Sequence, residues 1–216
     1  MKGYTKPVIL ILSVLLIDQM VKFWIKLNMT LGQEFKILGN WFIVHFTENN
    51  GMAFGMELGG EAGKLILSLF RIVAVVGIAY GLHYMIKNKY HRGFILNVAL
   101  IFAGAMGNII DSTFYGVIFS ESTWFEKAQL FPAAGGYSSL LHGKVVDMLY
   151  FPIVQGNFPS WFPIWGGEDF LFFRPVFNIA DSAITLGVML ILAYQKRYFK
   201  EEVTEPASYN SEIVED

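Results

Sequence analysis

The chain has 216 residues, of which 54% are hydrophobic and only 16% are charged, and its mean hydropathy is +0.46. Soluble domains average about 25% charged residues, so this composition indicates a single integral membrane domain. The net charge of −2 argues against a nucleic-acid-binding surface, and the lack of cysteine excludes disulfides, thiolate metal ligands and a cysteine nucleophile.

Four apolar segments approach the roughly 20 residues that a membrane-spanning helix needs. They cover residues 8–25, 65–86, 94–111 and 176–194. Lys2 and Lys6 precede the first segment, but no small-x-small cleavage site follows it, so we predict a retained helix and not a cleaved signal peptide. We expect one four-span domain over residues 1–200 and a disordered acidic tail over 201–216.

Lysines and arginines lie before the first segment, between the second and third, and after the fourth. This placement predicts that both termini are cytoplasmic. Residues 28–64 and 113–174 then face outward. Residues 41–47 and 144–150 are rich in β-branched and aromatic residues, which predicts a small outer sheet, with a turn at 48–51. The aromatic residues between 152 and 175 are expected at the membrane–water interface.

Several polar residues interrupt the apolar segments. Asp18 and Lys22 are four residues apart, so they share a helix face and can pair, with Lys22 also reaching toward the interface. Asn108 and Asp111 share a face of the third segment, where Gly104 and Gly107 would allow close helix packing. These four polar residues either support a site or only join helices. Arg71 either extends outward or pairs with an acid.

Asp147 and Asp181 are the strongest candidates for chemistry. Asp181 lies where the fourth segment begins, with Asn178 three residues earlier as a helix cap, and Asp147 lies in a predicted outer strand. If the two carboxylates meet, one holds a proton while the other acts as a base, which is the arrangement that activates water against an amide. The alternative is that Asp181 only caps its helix and Asp147 is a solvated loop residue.

Other site chemistries have less support. The four histidines show no metal-binding spacing, so neither a metal nor another cofactor is expected. Ser182 adjoins Asp181 but lies outside any Gly-x-Ser-x-Gly elbow, which gives little support for a serine nucleophile. Two non-enzymatic functions stay open. One is a proton-coupled transporter that uses Asp18, Asp147 and Asp181 as relay groups, and the other is an assembly factor whose polar residues only join helices.

Five motifs in order closely resemble those of the bacterial lipoprotein signal peptidases, also called signal peptidase II. They are Asp18-Gln19-x-x-Lys22, Asn49-x-Gly51-x-Ala53-Phe54, Gly104-Ala105-x-Gly107-Asn108-x-x-Asp111, Val145-Val146-Asp147 and Phe177-Asn178-x-Ala180-Asp181-Ser182-Ala183-Ile184. The motifs occur in both outer segments and in every predicted span except the second.

The resemblance implies a four-helix membrane aspartyl endopeptidase of the bacterial inner membrane, with a small extracytoplasmic β-cradle. Such enzymes cut prolipoproteins on the N-terminal side of a diacylglyceryl-modified cysteine, and Asp147 and Asp181 match their catalytic dyad. Further positions match support or substrate-pocket residues, namely Asn49, Gly104, Asn108, Asp111, Asn178 and Ala180. Asp18 and Lys22 match a motif that shapes the site. The resemblance also implies a monomer that works among membrane lipids and binds globomycin-type inhibitors in the same cleft.

The chain departs from the family pattern in several respects, including a replaced arginine and longer outer segments. The family usually has arginine after the acid of the third-helix motif, and here that residue is Ser112. Arg174 and Lys144 are the predicted substitutes. The outer segments 113–142 and 152–174 are also longer than the family's usual connections, which suggests an added lid or interfacial element.

Overall fold

A computed structural model describes residues 3–50, 60–152, 154–157, 161, 167, 169–172 and 176–199. Its helical elements, in chain order, are α1 (Thr5–Asn28), α2 (Gly60–Lys87), α3 (Arg92–Ile110), a π-helical turn (Asp111–Tyr115), α4 (Gly116–Ile118) and α5 (Ile179–Tyr198). Its strands are β1 (Glu34–Leu38), β2 (Phe42–Asn49), β3 (Val145–Tyr150), β4 (Val154–Asn157), β5 (Asp169–Phe172) and β6 (Val176–Phe177).

Four helices in the described residues are long and apolar enough to cross a membrane, which confirms the predicted four-span fold. They are Thr5–Asn28, Ala62–Lys87, Arg92–Ile118 and Ile179–Tyr198. On α1, the side chains that remain exposed are large and apolar, as Leu16 at 62% and Met20 at 63% show, while Asp18 and Lys22 are buried. Such a helix is apolar where it meets lipid and polar where it meets protein.

Helix α3 lies at the centre of the bundle and packs against α1, α2 and α5. The approach of α5 depends on the absence of side chains. A Cβ atom on Gly104 would lie 2.2 Å from the Ala180 carbonyl oxygen, and one on Gly187 would lie 2.7 Å from the Asn97 carbonyl oxygen. Small residues at helix crossings let the backbones meet in this way, so the predicted packing role of Gly104 is confirmed.

The predicted outer sheet is present at one end of the bundle, which we call the sheet end. Its strands are antiparallel in the order β1-β2-β3-β6, and Thr47 pairs with Asp147 where β2 meets β3. A second sheet contains β4 and β5. The turn predicted at residues 48–51 is wrong in its first half, because Glu48 and Asn49 continue β2 and pair with β3. Gly51 lies outside the described residues.

Two predicted segment boundaries also require correction. The third apolar segment continues past residue 111 through the π-helical turn to Ile118. The fourth starts later than predicted, because Val176 and Phe177 form β6 against β3 and the helix begins only at Ile179. Along the chain, regular secondary structure therefore lies both before and after Asp111 and both before and after Asp181.

Hydrogen bonds hold the long segment that follows α4 against the C-terminal end of α1. Phe119 pairs with Leu130, and the Leu31 amide donates to the Thr123 carbonyl at 2.9 Å. Lys26, which is fully buried, pairs with Glu48 and donates to the Ser122 hydroxyl at 2.9 Å. Most of the predicted aromatic stretch at 152–174 lies outside the described residues, as does the tail after residue 199.

Candidate active site

Asp181 is fixed by a reciprocal cap at the start of α5. Its backbone amide donates to the Asn178 side-chain oxygen at 2.8 Å, and its carboxylate accepts from the Asn178 amide at 3.3 Å. This capping box satisfies two amides of the first turn that have no partner within the helix. The predicted cap is therefore confirmed for Asn178, and it sets the direction in which the Asp181 carboxylate points.

Asp147 lies on β3 and contacts the same asparagine. It is only 4% exposed, so the alternative of a solvated loop residue is wrong. The side-chain nitrogen of Asn178 donates to Asp147 Oδ1 at 2.7 Å. Because Asn178 Oδ1 is occupied by the Asp181 amide, the orientation of the Asn178 side chain is determined, and its donor must face Asp147.

A second asparagine completes the link between the two acids. Asn108 on α3 donates to Asp181 Oδ1 at 2.7 Å, and its own oxygen accepts from Asn178 at 3.1 Å. Two carboxylates from separate elements are thus joined through two amide side chains. Asn108 and Asn178 position the acids and leave them within electrostatic reach of each other.

The pKa of Asp147 is the value expected if the two acids share one proton. Burial and the nearby charge of Asp181 together raise the pKa of Asp147 to about 7, although the hydrogen bond from Asn178, the charge of Lys22 and the hydrogen bond from Asn49 act to lower it. A carboxyl group with this pKa keeps its proton up to neutral pH. This contact also places Asn49, at the end of β2, beside the acids, as its motif predicted.

Lys22 lies beneath the two asparagines, and the prediction that it reaches the interface is wrong. Its side chain is fully buried, and its ammonium lies 2.9 Å from Asp18 and 2.8 Å from Asp111. It also donates to Asn108 Oδ1 at 3.0 Å. The predicted ion pair with Asp18 is confirmed, but it is part of a network that holds Asn108 and does not extend to solvent.

The two acids that pair with Lys22 also hold the backbone around the candidate dyad. Asp18 Oδ1 accepts from the Ala180 amide at 2.9 Å, and Asp111 Oδ2 accepts from the Val146 amide at 3.2 Å. These bonds fix the residues directly before Asp181 and Asp147. A Cβ atom on Gly107 would lie 2.8 Å from Asp18, so this glycine makes room for the carboxylate.

A model of the family described as Signal peptidase (SPase) II matches residues 10–196 of the chain. The chain belongs to the signal peptidase II family. It is 53% identical over 189 residues to a lipoprotein signal peptidase from Porphyromonas gingivalis, an alignment that covers 87% of this chain and 81% of the relative. It is 36% identical over 212 residues to the Amoebophilus asiaticus enzyme of the same name, with 94% and 84% covered.

A solved bacterial membrane enzyme shares the fold, with a TM-score of 0.57, 24% identity, and 93% of this chain and 94% of that one covered. Membership of the signal peptidase II family makes the chain a multi-pass bacterial membrane peptidase and gives no support to the transporter alternative.

This signal peptidase II family member holds its acids with residues to which sequence reasoning assigned no role. Gln19 donates to Asp111 at 2.9 Å and to Asp18 at 3.1 Å, and it accepts from the Tyr115 hydroxyl at 3.1 Å. The sequence could have identified Gln19, because it is part of the first motif and lies one residue from Asp18. Tyr115 could not be identified in this way, since its contact depends on the π-helical turn.

The prediction that Lys144 substitutes for the missing arginine beside Ser112 is wrong. Lys144 is engaged by Glu121 at 3.3 Å and Glu48 at 3.6 Å, and Arg174 lies outside the described residues. The guanidinium that reaches Ser112 belongs to Arg71 on α2, whose Nη1 donates to the serine hydroxyl at 3.4 Å.

Two other chemistries find little support in the geometry. The Ser182 hydroxyl donates to the Asn178 carbonyl at 2.9 Å, as a serine in the first turn of a helix does, and no hydrogen bond from it to an amine is found among the described residues. Within the described residues, no group of three or more histidine, aspartate or glutamate side chains is placed to hold a metal ion.

Proposed function

We propose that this membrane peptidase is an aspartic endopeptidase that removes signal peptides from prolipoproteins, with Asp147 and Asp181 as its catalytic dyad. The proposal rests chiefly on one observation, which is that two acids from β3 and α5 are joined through Asn178 and Asn108. Relatives named lipoprotein signal peptidase support the substrate class. The bond cut would be the one on the N-terminal side of the diacylglyceryl-modified cysteine.

The chemistry divides between the two carboxyls. Asp147, whose pKa is raised to about 7, carries the proton, and Asp181 carries the charge. Asp181 removes a proton from a water molecule as the water oxygen attacks the scissile carbonyl carbon. Asp147 then donates its proton to the amide nitrogen as the carbon–nitrogen bond breaks. The products are a new carboxyl group on the signal peptide and a new amine on the lipid-modified cysteine.

The supporting residues act by holding this geometry. Asn178 and Asn108 fix the carboxylates, and Lys22, Asp18 and Asp111 fix the asparagine and the backbone around them. Asn49 contacts Asp147 from β2. Gly104 and Ala180 allow α3 and α5 to meet closely enough for Asn108 to reach Asp181. A displacement of about 1 Å in such a site typically costs about 100-fold in rate.

The position of the dyad suits a substrate that lies in the membrane. Lys6 begins the first span, Lys87 and Arg92 border the second turn, and Lys196 and Arg197 end the last span, all at the end of the bundle away from the sheet. By the positive-inside rule this end is cytoplasmic, so both termini are cytoplasmic and the dyad faces the extracytoplasmic side. A signal helix in the bilayer would present its lipid-modified end at this depth. Globomycin-type inhibitors would occupy the same cleft, and a monomer suffices for the site.

The test is cleavage of one prolipoprotein prepared with and without its diacylglyceryl group. We expect the purified enzyme to cut the lipid-modified form at the cysteine, with kcat/KM at least about 100-fold higher than for the unmodified form, because lipid binding far from the scissile bond contributes to the transition state. Mass spectrometry of both products measures the rate and identifies the bond. Equal turnover of the two forms, or cleavage at another bond, would contradict the proposal.

A further inference from the structure

Arg71 lies on the face of α2 that points into the bundle. Ser68 and Val75, three residues before it and four after it, share this face and are each 5% exposed. Phe70 and Val73, on the opposite side, are 68% and 70% exposed. Arg71 therefore points into the bundle and not toward lipid.

The guanidinium of Arg71 ends at the last turn of α3, next to the dyad's supports. Its Nη1 donates to the Ser112 hydroxyl at 3.4 Å, and the same hydroxyl donates to the Asn108 carbonyl at 3.0 Å. Ser112 itself is 4% exposed. Arg71 thus approaches the site from a span that contains none of the five family motifs.

The Arg71 guanidinium lies within electrostatic reach of Asp181, Asp147 and Asp111. Titratable groups converge here from every element around the site. They are Asp18 and Lys22 on α1, Arg71 on α2, Asp111 and Tyr115 in the π-helical turn, Glu48 on β2, Asp147 on β3 and Asp181 on α5.

The lysines of this cluster pair with acids outside the dyad. Glu48 pairs with Lys26, and Lys22 lies between Asp18 and Asp111. The charge of Lys22 also reaches Asp147 and acts to lower its pKa. A dyad that shares one proton keeps one negative charge, and the charge of Arg71, which approaches from α2, interacts with it.

We propose that Arg71 is a positioning residue that keeps the dyad in its singly ionised form. It does so by balancing the one charge that the pair retains and by holding Ser112 at the end of α3. The inference rests on the proposed function of Asp147 and Asp181, and it adds a residue that the family motifs do not contain.

The test compares pH profiles of kcat/KM for the full-length enzyme and for Arg71→Gln and Arg71→Lys. Loss of the cation disfavours ionised carboxylates nearby, so we expect Arg71→Gln to move the alkaline limb upward by at least about half a pH unit. Arg71→Lys keeps the charge and is expected to keep the limb within about 0.2 pH units of wild type. Lys87→Gln, an exposed charge at the other end of α2, is the matched control.

A purely structural role for Arg71 would lower activity equally at every pH and leave the limb in place, and that result would overturn the proposal. If Arg71→Gln does not fold, the exchange variant Arg71→Ser/Ser112→Arg returns a guanidinium to the same place from the other helix. A wild-type limb in that variant supports the proposal, and a limb shifted upward contradicts it.

A second measurement separates this inference from the proposed function. The chain has six aspartates, so carboxyl-labelled aspartate gives a spectrum simple enough for nuclear magnetic resonance, with Asp147→Asn to assign the signal of Asp147. We expect Asp147 to titrate at higher pH in Arg71→Gln than in wild type. An unchanged titration would refute the role of Arg71, whereas failure to cleave prolipoproteins would refute the proposed function alone.

Discussion

Replacing either acid of the dyad with asparagine is expected to abolish cleavage of a lipid-modified prolipoprotein while the protein stays folded. Positioned acid–base groups typically contribute about 10²–10⁴-fold to a rate, and here each acid has a separate step to perform, so we expect a loss of at least about 10³-fold. The fold should survive in Asp147→Asn, because the side-chain oxygen of an asparagine can still accept from Asn178. Turnover is measured with purified protein and product masses.

Two matched variants make this result specific. Glu126→Gln makes the same change of carboxylate to amide on an exposed residue of the segment after α4, and it should keep wild-type turnover. Ser182→Ala removes the serine that follows Asp181 and should remain active. Near-normal turnover by Asp147→Asn or Asp181→Asn, or an inactive Ser182→Ala that stays folded, would contradict the dyad.

Lys22→Met is expected to cause the largest loss of stability among single substitutions in the bundle. The change removes the cation between Asp18 and Asp111 and leaves two buried carboxylates without their counter-charge. Breaking a buried ion pair from one side costs about 3–5 kcal/mol. At about 2–4 °C per kcal/mol for a domain of this size, the melting temperature should fall by about 10 °C, which thermal unfolding in detergent measures.

Lys6→Met is the control for this change, because Lys6 is an exposed lysine on the same helix. Exposed substitutions of this kind usually stay within about 0.5 kcal/mol, so its melting temperature should match that of wild type. A melting temperature for Lys22→Met equal to that of Lys6→Met would mean that the buried network contributes nothing to the fold.

The features that the sequence predicted correctly depend on neighbouring residues. Each span is recognised from about 20 consecutive apolar residues, and the cap at Asn178 from an acid three residues later. Patterns of neighbouring residues also predicted a strand at Asp147 and a shared helix face for Asp18 and Lys22. Family motifs then brought these separate positions together, and the structure shows the contacts through Asn178 and Asn108.

The features that were missed depend on contacts between distant parts of the chain. Arg71 meets Ser112 across 41 residues, and Lys26 meets Ser122 across 96. A sequence shows that Lys22 is near a helix end, but only the fold shows that two acids surround it and keep it from the interface. The π-helical turn is similar, because Asp111–Tyr115 carries no residue pattern that distinguishes it from an ordinary helix end.

The most direct test of the shared-proton dyad is the pH dependence of kcat/KM for wild-type enzyme on a lipid-modified prolipoprotein. Burial and the charge of Asp181 raise the pKa of Asp147 to about 7, so the proton donor is present below this pH and is lost as the pH rises through it. We predict a bell-shaped profile that falls about tenfold per pH unit above roughly pH 7. A rate that keeps rising to about pH 9, as expected for a serine nucleophile with an amine base, would contradict the account.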